Sequence, residues 1–339
     1  MPNYVLYNND QIVARFEYAQ GMIRSYEPVC SELLPMQIRS ASAEGFTGWL
    51  RERAIDLNTV QHRNLVSELL GSRDKVHLSL MTHMFSISDT FTCFEEGQFV
   101  PRRHLCDPKE HEAVSDYILL SSDTSVRKAL PITPNVSTDG SFTKTWKYED
   151  GEWWLYKLQS SEATRSEVEI SRVLRDCGWD AALYCYVGSY RKRIKSLNFL
   201  GENEFFEPYD SFRYAFADVS EDDDIVMNNL SSLGEAYHQA WKRILLADAL
   251  FLNGDRHMRN FGVIRSAETG QVLRLAPNFD NNQAFHGNPN GRYSSAMLRL
   301  YWKTADDEDR ENLRQLLRAC EKNKYLTEAW QAGMQILNP

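Results

Sequence analysis

The feature that most constrains this chain is an abrupt break in pattern. From Leu230 to Leu252, LSSLGEAYHQAWKRILLADALFL keeps Leu233, Tyr237, Ala240, Trp241, Ile244 and Phe251 at helical spacing, while Leu245, Leu246, Ala249 and Leu250 widen the stripe almost all round. A helix apolar on nearly every side must be buried. The apolar run stops at Leu252, and Asn253, Gly254, Asp255, Arg256, His257, Arg259 and Asn260 follow at once. Asn-Gly tolerates unusual dihedrals, so the spacing predicts a turn there that presents Asp255 at the mouth of the fold. A polar loop pinned to a rigid element is where function concentrates.

Downstream, GVIRSAETGQVLRLAPNFD reads as a hairpin closed by Glu268-Thr269-Gly270 whose second strand runs out at Asp280. That hairpin brings Asp280 back beside Asp255 and Asn260. Two carboxylates and a carboxamide can hold a hard divalent cation, or divide into one base and one metal ligand. The interval from Asp255 to Asn260 is D-x-x-x-x-N, which in protein kinases separates the catalytic Asp from a magnesium-binding Asn, with a second metal-binding Asp after a hairpin. Phosphoryl transfer needs a carboxylate to orient and deprotonate the attacking hydroxyl, and cations to neutralise the phosphates.

The preceding half of the chain supplies matching parts. STDGSFTKTW is a small-residue turn suited to letting backbone N–H groups approach phosphate, and SFTKTWKYEDGEWWLYKLQ reads as a hairpin about Asp150-Gly151 with Lys157 ending its second strand. SEATRSEVEISRVLRDCG then reads as a helix with Val168, Ile170, Val173 and Leu174 inward, Glu167 in its first half and Gly178 as its stop. A strand lysine paired with a helix glutamate is how kinases hold the α and β phosphates. Taken singly, Lys157 reads as a solvated strand end and Glu167 as a surface charge; their order along the chain is what joins them to Asp255, Asn260 and Asp280. No G-x-x-x-x-G-K-[ST] sequence is present, which excludes the P-loop fold.

Elsewhere, YVLYNNDQIVARFEYAQG predicts a hairpin, and SAEGFTGWLRERAI and TVQHRNLVSELLGS predict helices. Polar, Pro-punctuated text over residues 100–135 places a boundary near residue 118. AALYCYVGSY and SFRYAFADV read as strands, SEDDDIVMNN as an acidic loop, and the text from Ala296 onward as helical. The expected fold is α+β and two-lobed, protein-kinase-like, with a β-rich N-lobe, a mostly α-helical C-lobe and an additional N-terminal α/β subdomain. The expected divisions are 1–118, 119–217 and 218–339.

Charge and cysteine usage narrow the partners. The chain has 47 Asp plus Glu against 38 Lys plus Arg, a net charge of −9, so it lacks the positive field that non-specific nucleic-acid or anionic-lipid binding requires. No helix-turn-helix pattern stands out, and direct nucleic-acid contact is not expected. No stretch approaches the ~18 apolar residues of a membrane span, and MPNYVLYNNDQ has no basic segment with an apolar run behind it, so a cytoplasmic, membrane-free protein is expected. Six scattered cysteines without a C-x-x-C pair fit reduced thiols. His104, Cys106 and His111 form only a loose cluster that reads as a polar loop rather than a zinc site.

From about Thr133 to Phe285 the chain resembles the HipA-like serine/threonine kinases of bacteria. STDGSFTKTW resembles their Ser-x-x-Gly-x-x-x-Lys-Thr phosphate loop, LYKLQ their ATP-binding lysine strand, and SEVEISRVLRDCG the helix that opens with an Asn-Glu pair. NGDRHMRNFGV is similar to their Asp-x-His-x-x-Asn-Phe catalytic loop and LAPNFDNN to their Pro-x-x-Asp metal segment. The resemblance implies ATP and Mg²⁺ as cofactors, Asp255 as catalytic base, and Asn260 and Asp280 as metal ligands. It implies phosphate contacts at Ser137, Gly140, Ser141, Lys144 and Lys157, with Glu167 positioning that lysine. His257 belongs to the catalytic loop, either touching phosphate or fixing the loop's geometry. Ser137 stands where the family carries an autophosphorylated serine, and the adenine hinge should lie in KSLNFLGENEFFEPY. Arg256 departs from a common glycine, and Asp280 is followed by Asn281-Asn282 rather than Phe-Gly. A protein substrate is implied, with an antitoxin or regulatory chain as a possible partner. Two other classes stay open: a pseudokinase that acts through partners, and a kinase of sugars or antibiotics.

Overall fold

The computed structural model describes residues 3–54, 63–64, 66, 71, 74–120, 133–136, 142–188, 192–285 and 305–337. The chain opens with β1 (Asn3–Asn8), β2 (Gln11–Ala19) and β3 (Met22–Pro28), which join β4 (Phe91–Glu95) in an antiparallel sheet ordered β3-β2-β1-β4. The first hairpin turns at Asn9, whose φ of 50° suits an asparagine. Helix α1 (Ala43–Glu52) starts where the Ser42 hydroxyl accepts the Gly45 N–H, and α2 (Lys75–Met81) where Asp74 accepts that of His77. The helix expected at 59–72 lies almost wholly outside the described residues.

The polar stretch after residue 100 holds a helix the sequence reading took for loop: α3 (Pro108–Leu120). Its proline sits at the first helical position, where the missing N–H costs nothing. The helix runs through residue 118 and packs on β5 (Thr143–Glu149), where the Ser115 hydroxyl donates to the Trp146 carbonyl at 2.7 Å.

Strands β5 and β6 (Glu152–Leu158) form the expected Asp150-Gly151 hairpin, and with β7 (Tyr184–Tyr186) and β8 (Arg193–Leu197) they give a sheet ordered β5-β6-β8-β7. Helix α4 (Ser161–Asp176) follows β6, capped by Ser160, with Val168, Ile170, Val173 and Leu174 buried as its periodicity predicts. A third sheet, β11-β10-β9, consists of β9 (Glu204–Pro208), β10 (Gly262–Ser266) and β11 (Val272–Leu275).

Two expectations fail between these sheets. SFRYAFADV is not a strand: Tyr209–Phe212 and Arg213–Ala215 form helical turns, because Pro208 ends β9 and cannot continue its ladder. SEDDDIVMNN is not a loop: α5 (Asp223–Ser232) begins inside it, with Asp223 and Asp224 in the first turn, where negative charge favours a helix N-terminus, and Val226 and Leu230 buried four apart. The long predicted helix is shortened to α6 (Glu235–Phe251), since Gly234 at φ 132° breaks the run.

Helices α7 (Asp307–Glu321) and α8 (Thr327–Leu337) are the last elements among the described residues, and the expected helical stretch over 296–304 lies outside them. One large core joins Ile170 and Leu174 of α4 to Leu246 and Leu250 of α6 and Leu313 and Leu317 of α7. The fold is thus α+β and two-lobed, with an added N-terminal α/β unit. Among the described residues no helix is long and apolar enough to cross a membrane.

Candidate active site

The loop after α6 is fixed from beneath. Leu252, not Asn253 or Gly254, takes the left-handed conformation (φ 53°), which lets its N–H close on the Asp248 carbonyl. Asn253 is buried and donates through its amide to Asp248 (3.0 Å) and Asn281 (3.3 Å). The Arg256 guanidinium, 0% exposed, grips Asp248 by two bonds of 2.8 and 2.9 Å. It also donates to the carbonyls of Asn260 (2.8 Å) and Phe279 (2.7 Å) and to the Asn281 side chain (2.9 Å). One arginine therefore ties α6, the polar loop and the segment before Asp280 into a single body. Above it, the Asn260 amide donates to the Asp255 carbonyl at 3.0 Å. That bond leaves the Asn260 side-chain oxygen as an acceptor.

Asp255 stands at the surface of this loop. Partial burial and the charge of Asp280 push its carboxyl above the ordinary aspartate range, although His257 and Arg256 pull the other way. His257 is exposed, and its Nδ1 accepts the Arg259 N–H at 3.3 Å, which places the proton of the neutral ring on Nε2.

The β10–β11 hairpin delivers Asp280 as its spacing predicts, and the lysine strand meets it there. Lys157 Nζ lies 2.6 Å from Glu167 and 2.7 Å from Asp280. The Gln159 amide donates to the other Glu167 oxygen at 2.8 Å, and the Tyr184 ring lies 5.5 Å from Lys157 Nζ. The Asp280 N–H donates to the Tyr184 hydroxyl, and the Asn282 amide donates to the Asp280 carboxylate at 2.8 Å. Asp280 adopts φ 61°, a left-handed conformation uncommon for a residue other than glycine.

One ammonium faces two carboxylates in this cluster. Burial pushes Glu167, 0% exposed, up to about 7 even though Lys157 draws it down and Asp280 adds to the rise. Burial acts upward on Asp280 as well, but Lys157 and Lys144 overcome it and hold that carboxyl far below its usual range. Burial tends to lower Lys157, yet the charges of Asp280 and Glu167 keep it well above an ordinary lysine. Asp280 is thus the carboxylate that stays ionised, and Glu167 the one that takes a proton first.

These groups share a cleft of about 490 Å³ between the lobes, lined by Lys144, Lys157, Asp255, His257, Asn260 and Asp280 among others. Lys144 is the cross-strand partner of Lys157. Ser137, Gly140 and Ser141 of the expected phosphate loop lie outside the described residues. The link between β8 and β9, within the expected hinge segment, lines the cleft through Asn198, Phe199 and Leu200. There Phe199, Phe206 and Phe279 pack edge-on or tilted at 5.6 to 6.1 Å, an apolar floor for a planar ring.

The oxygens present suit a hard divalent cation. Asp280 and Asn260 offer a carboxylate and a carboxamide, and the buried Asn282 Oδ1 beside them has no hydrogen-bond partner among the described residues. The His104, Cys106 and His111 cluster, read from the sequence as a polar loop, is largely helical instead, with His111 buried and its Nε2 on the Leu105 carbonyl at 2.7 Å.

No protein-family model matches the chain, and no curated protein does. Among solved structures, HipA of Shewanella oneidensis MR-1, in complex with HipB and its operator DNA, matches with a TM-score of 0.58 at 12% identity, over 99% of this chain and 92% of that one. The chain has the HipA fold. The Helicobacter pylori kinase CtkA matches at TM-score 0.42 and 10% identity, over 57% of this chain and 89% of its own. WaaP in complex with acyl carrier protein matches at 0.30 and 15%, over 57% and 85%. Neither of these two partial likenesses adds to the argument, and at 12% identity the HipA likeness is one of fold. Within that HipA-like fold, the sequence reading missed Gln159, Tyr184 and Asn282, for which no spacing signal existed.

Proposed function

We propose that this chain is an ATP- and Mg²⁺-dependent serine/threonine protein kinase. The observation that carries the reading is the joint ion pairing of Lys157 with Glu167 of α4 and Asp280 of the metal segment, in the same cleft as Asp255. Lys157 and Lys144 would hold the inner phosphates, and Asp280 and Asn260 would hold Mg²⁺, which when bound neutralises phosphate charge. Asp255 would orient the substrate hydroxyl and accept its proton, a task its raised pKa favours. The HipA-like fold supports the phosphotransferase class; the choice of a protein hydroxyl rests on the motif resemblance. That neighbour's complex with HipB and operator DNA makes a partner chain part of the proposal and lends no support to an expectation of no nucleic-acid contact.

The test is phosphate incorporation from labelled ATP into a protein substrate. Asp255→Asn should lower the rate by about 10²- to 10⁴-fold, the usual worth of a positioned general base. The wild-type rate should fall with acidity at a pH above the ~3.9 of a free aspartate, because protonated Asp255 cannot accept the hydroxyl proton. Equal, background-level incorporation by wild type and variant would defeat the assignment.

A further inference from the structure

The N-terminal sheet has both faces occupied, each meeting a different one of the other two sheets. On β1, Val5 and Tyr7 point into a cluster with Phe85, Phe94 and Trp146 of β5, against which Trp153 and Leu155 of β6 also pack. Leu6, pointing the other way, joins Phe46 and Leu50 of α1 in a core that takes in Phe205 of β9 and Ala267 just beyond β10. Hinge motion about the link between β8 and β9 would have to open one of these two cores.

A polar fastening secures the second face. Glu207 of β9, 2% exposed, accepts the Met36 N–H and the Ser211 hydroxyl, both at 2.6 Å, and pairs with Arg265 at 2.5 Å. Arg265, 0% exposed, spends its other donors on the carbonyls of Leu34 (2.9 Å), Glu32 (2.8 Å) and Gly270 (2.9 Å). The approach is close enough that a Cβ on Gly270 would fall 2.0 Å from the Glu32 carbonyl oxygen. A further tie runs from the Phe206 N–H to the Ser88 carbonyl at 3.1 Å. As a result Pro35, Gln37 and Ser88 of the N-terminal unit stand on the cleft wall beside Glu207 and Pro208.

We propose that the N-terminal sheet is a brace that sets the opening of the cleft, with Arg265 and Glu207 as positioning residues for nucleotide bound there. The inference rests on the nucleotide reading of the cleft. A braced cleft is held at working width by the packing of the N-terminal unit, so nucleotide affinity depends on residues outside the phosphate- and metal-holding groups.

The test is the double substitution Arg265→Met/Glu207→Leu, which removes both charges together and so avoids stranding one in the core. Two readouts are expected to move in a variant that still melts cooperatively. The KM for Mg–ATP should rise about tenfold while kcat at saturation stays within about threefold, the signature of lost ground-state binding. Hydrogen exchange at the Met36 and Phe206 amides should accelerate, with or without nucleotide. Unchanged exchange in the folded variant, or an equal fall in kcat and kcat/KM at constant KM, would overturn the brace. Should the double variant fail to fold, Arg265→Lys carries the same readouts, since one ammonium cannot serve four acceptors. If wild type binds no nucleotide, the kinase reading falls while the exchange measurement still decides the brace.

Discussion

Arg256 shows what one residue can hide in a sequence. The motif resemblance marks it only as a departure from glycine, yet its guanidinium is the fixed point beneath the loop that carries Asp255, wholly enclosed with Asp248. Its partners lie 4 to 25 positions away, on three different elements, and no local spacing rule reaches that far. Lys157, Glu167, Asp255, Asn260 and Asp280 were legible because each sits within, or a few residues from, an element whose periodicity is plain. Gln159 and Tyr184 were not, since their worth comes only from a neighbour brought in by folding. Truncating the arginine strands Asp248 as an uncompensated buried charge. Arg256→Ala should therefore cost about 3–5 kcal/mol in urea denaturation, the usual cost of removing one partner of a buried pair. A loss under about 1 kcal/mol, the size of a surface pair, would mean that Asp248 finds water or another donor.

Elements were read well where apolar period and turn chemistry agreed, and poorly where polarity was taken for irregularity. The β5–β6 and β10–β11 hairpins and α4 follow their patterns, so Lys157, Glu167 and Asp280 arrive where expected. Helices α3 and α5 were missed because Pro108 and the aspartates that mark their first turns also mark loops. The strand β9 was displaced in the reading because its pairing with β10 is long-range. That pairing depends on a glycine: a Cβ at Gly262 would lie 2.2 Å from the Glu207 carbonyl oxygen and 2.7 Å from the Pro208 Cα, both backbone atoms that cannot swing aside. Gly262→Ala should push the hinge strand off β10 and destabilise the protein by about 1–3 kcal/mol, as overpacking does. Wild-type stability in guanidinium titration of this variant would show that β9 yields more easily than its fastening through Glu207 to Arg265 implies.

At the scale of the whole molecule, charge decides how an anionic ligand can enter. The chain carries a net −9, and the innermost cluster sets two carboxylates against Lys157. A nucleoside triphosphate arriving without a cation would meet like charge at Asp280 and Asp255, which Lys144 and Lys157 offset on the strand side. Paired with Mg²⁺, the same ligand would bring positive charge that Asp280, Asn260 and the Asn282 oxygen, without a partner among the described residues, could receive. Ligand that binds only the folded state stabilises it by RT ln(1 + [L]/Kd), about 2.7 kcal/mol at a hundredfold excess over Kd. Mg–ATP should accordingly raise the melting temperature by a few degrees, and ATP in EDTA should raise it far less. In Asp280→Asn the two shifts should draw together, because the substitution removes both the repulsion and the carboxylate proposed for the metal. Equal shifts with and without Mg²⁺ in wild type would show that the cleft takes up nucleotide through its lysines alone, and that Asp280 serves Lys157 rather than a metal.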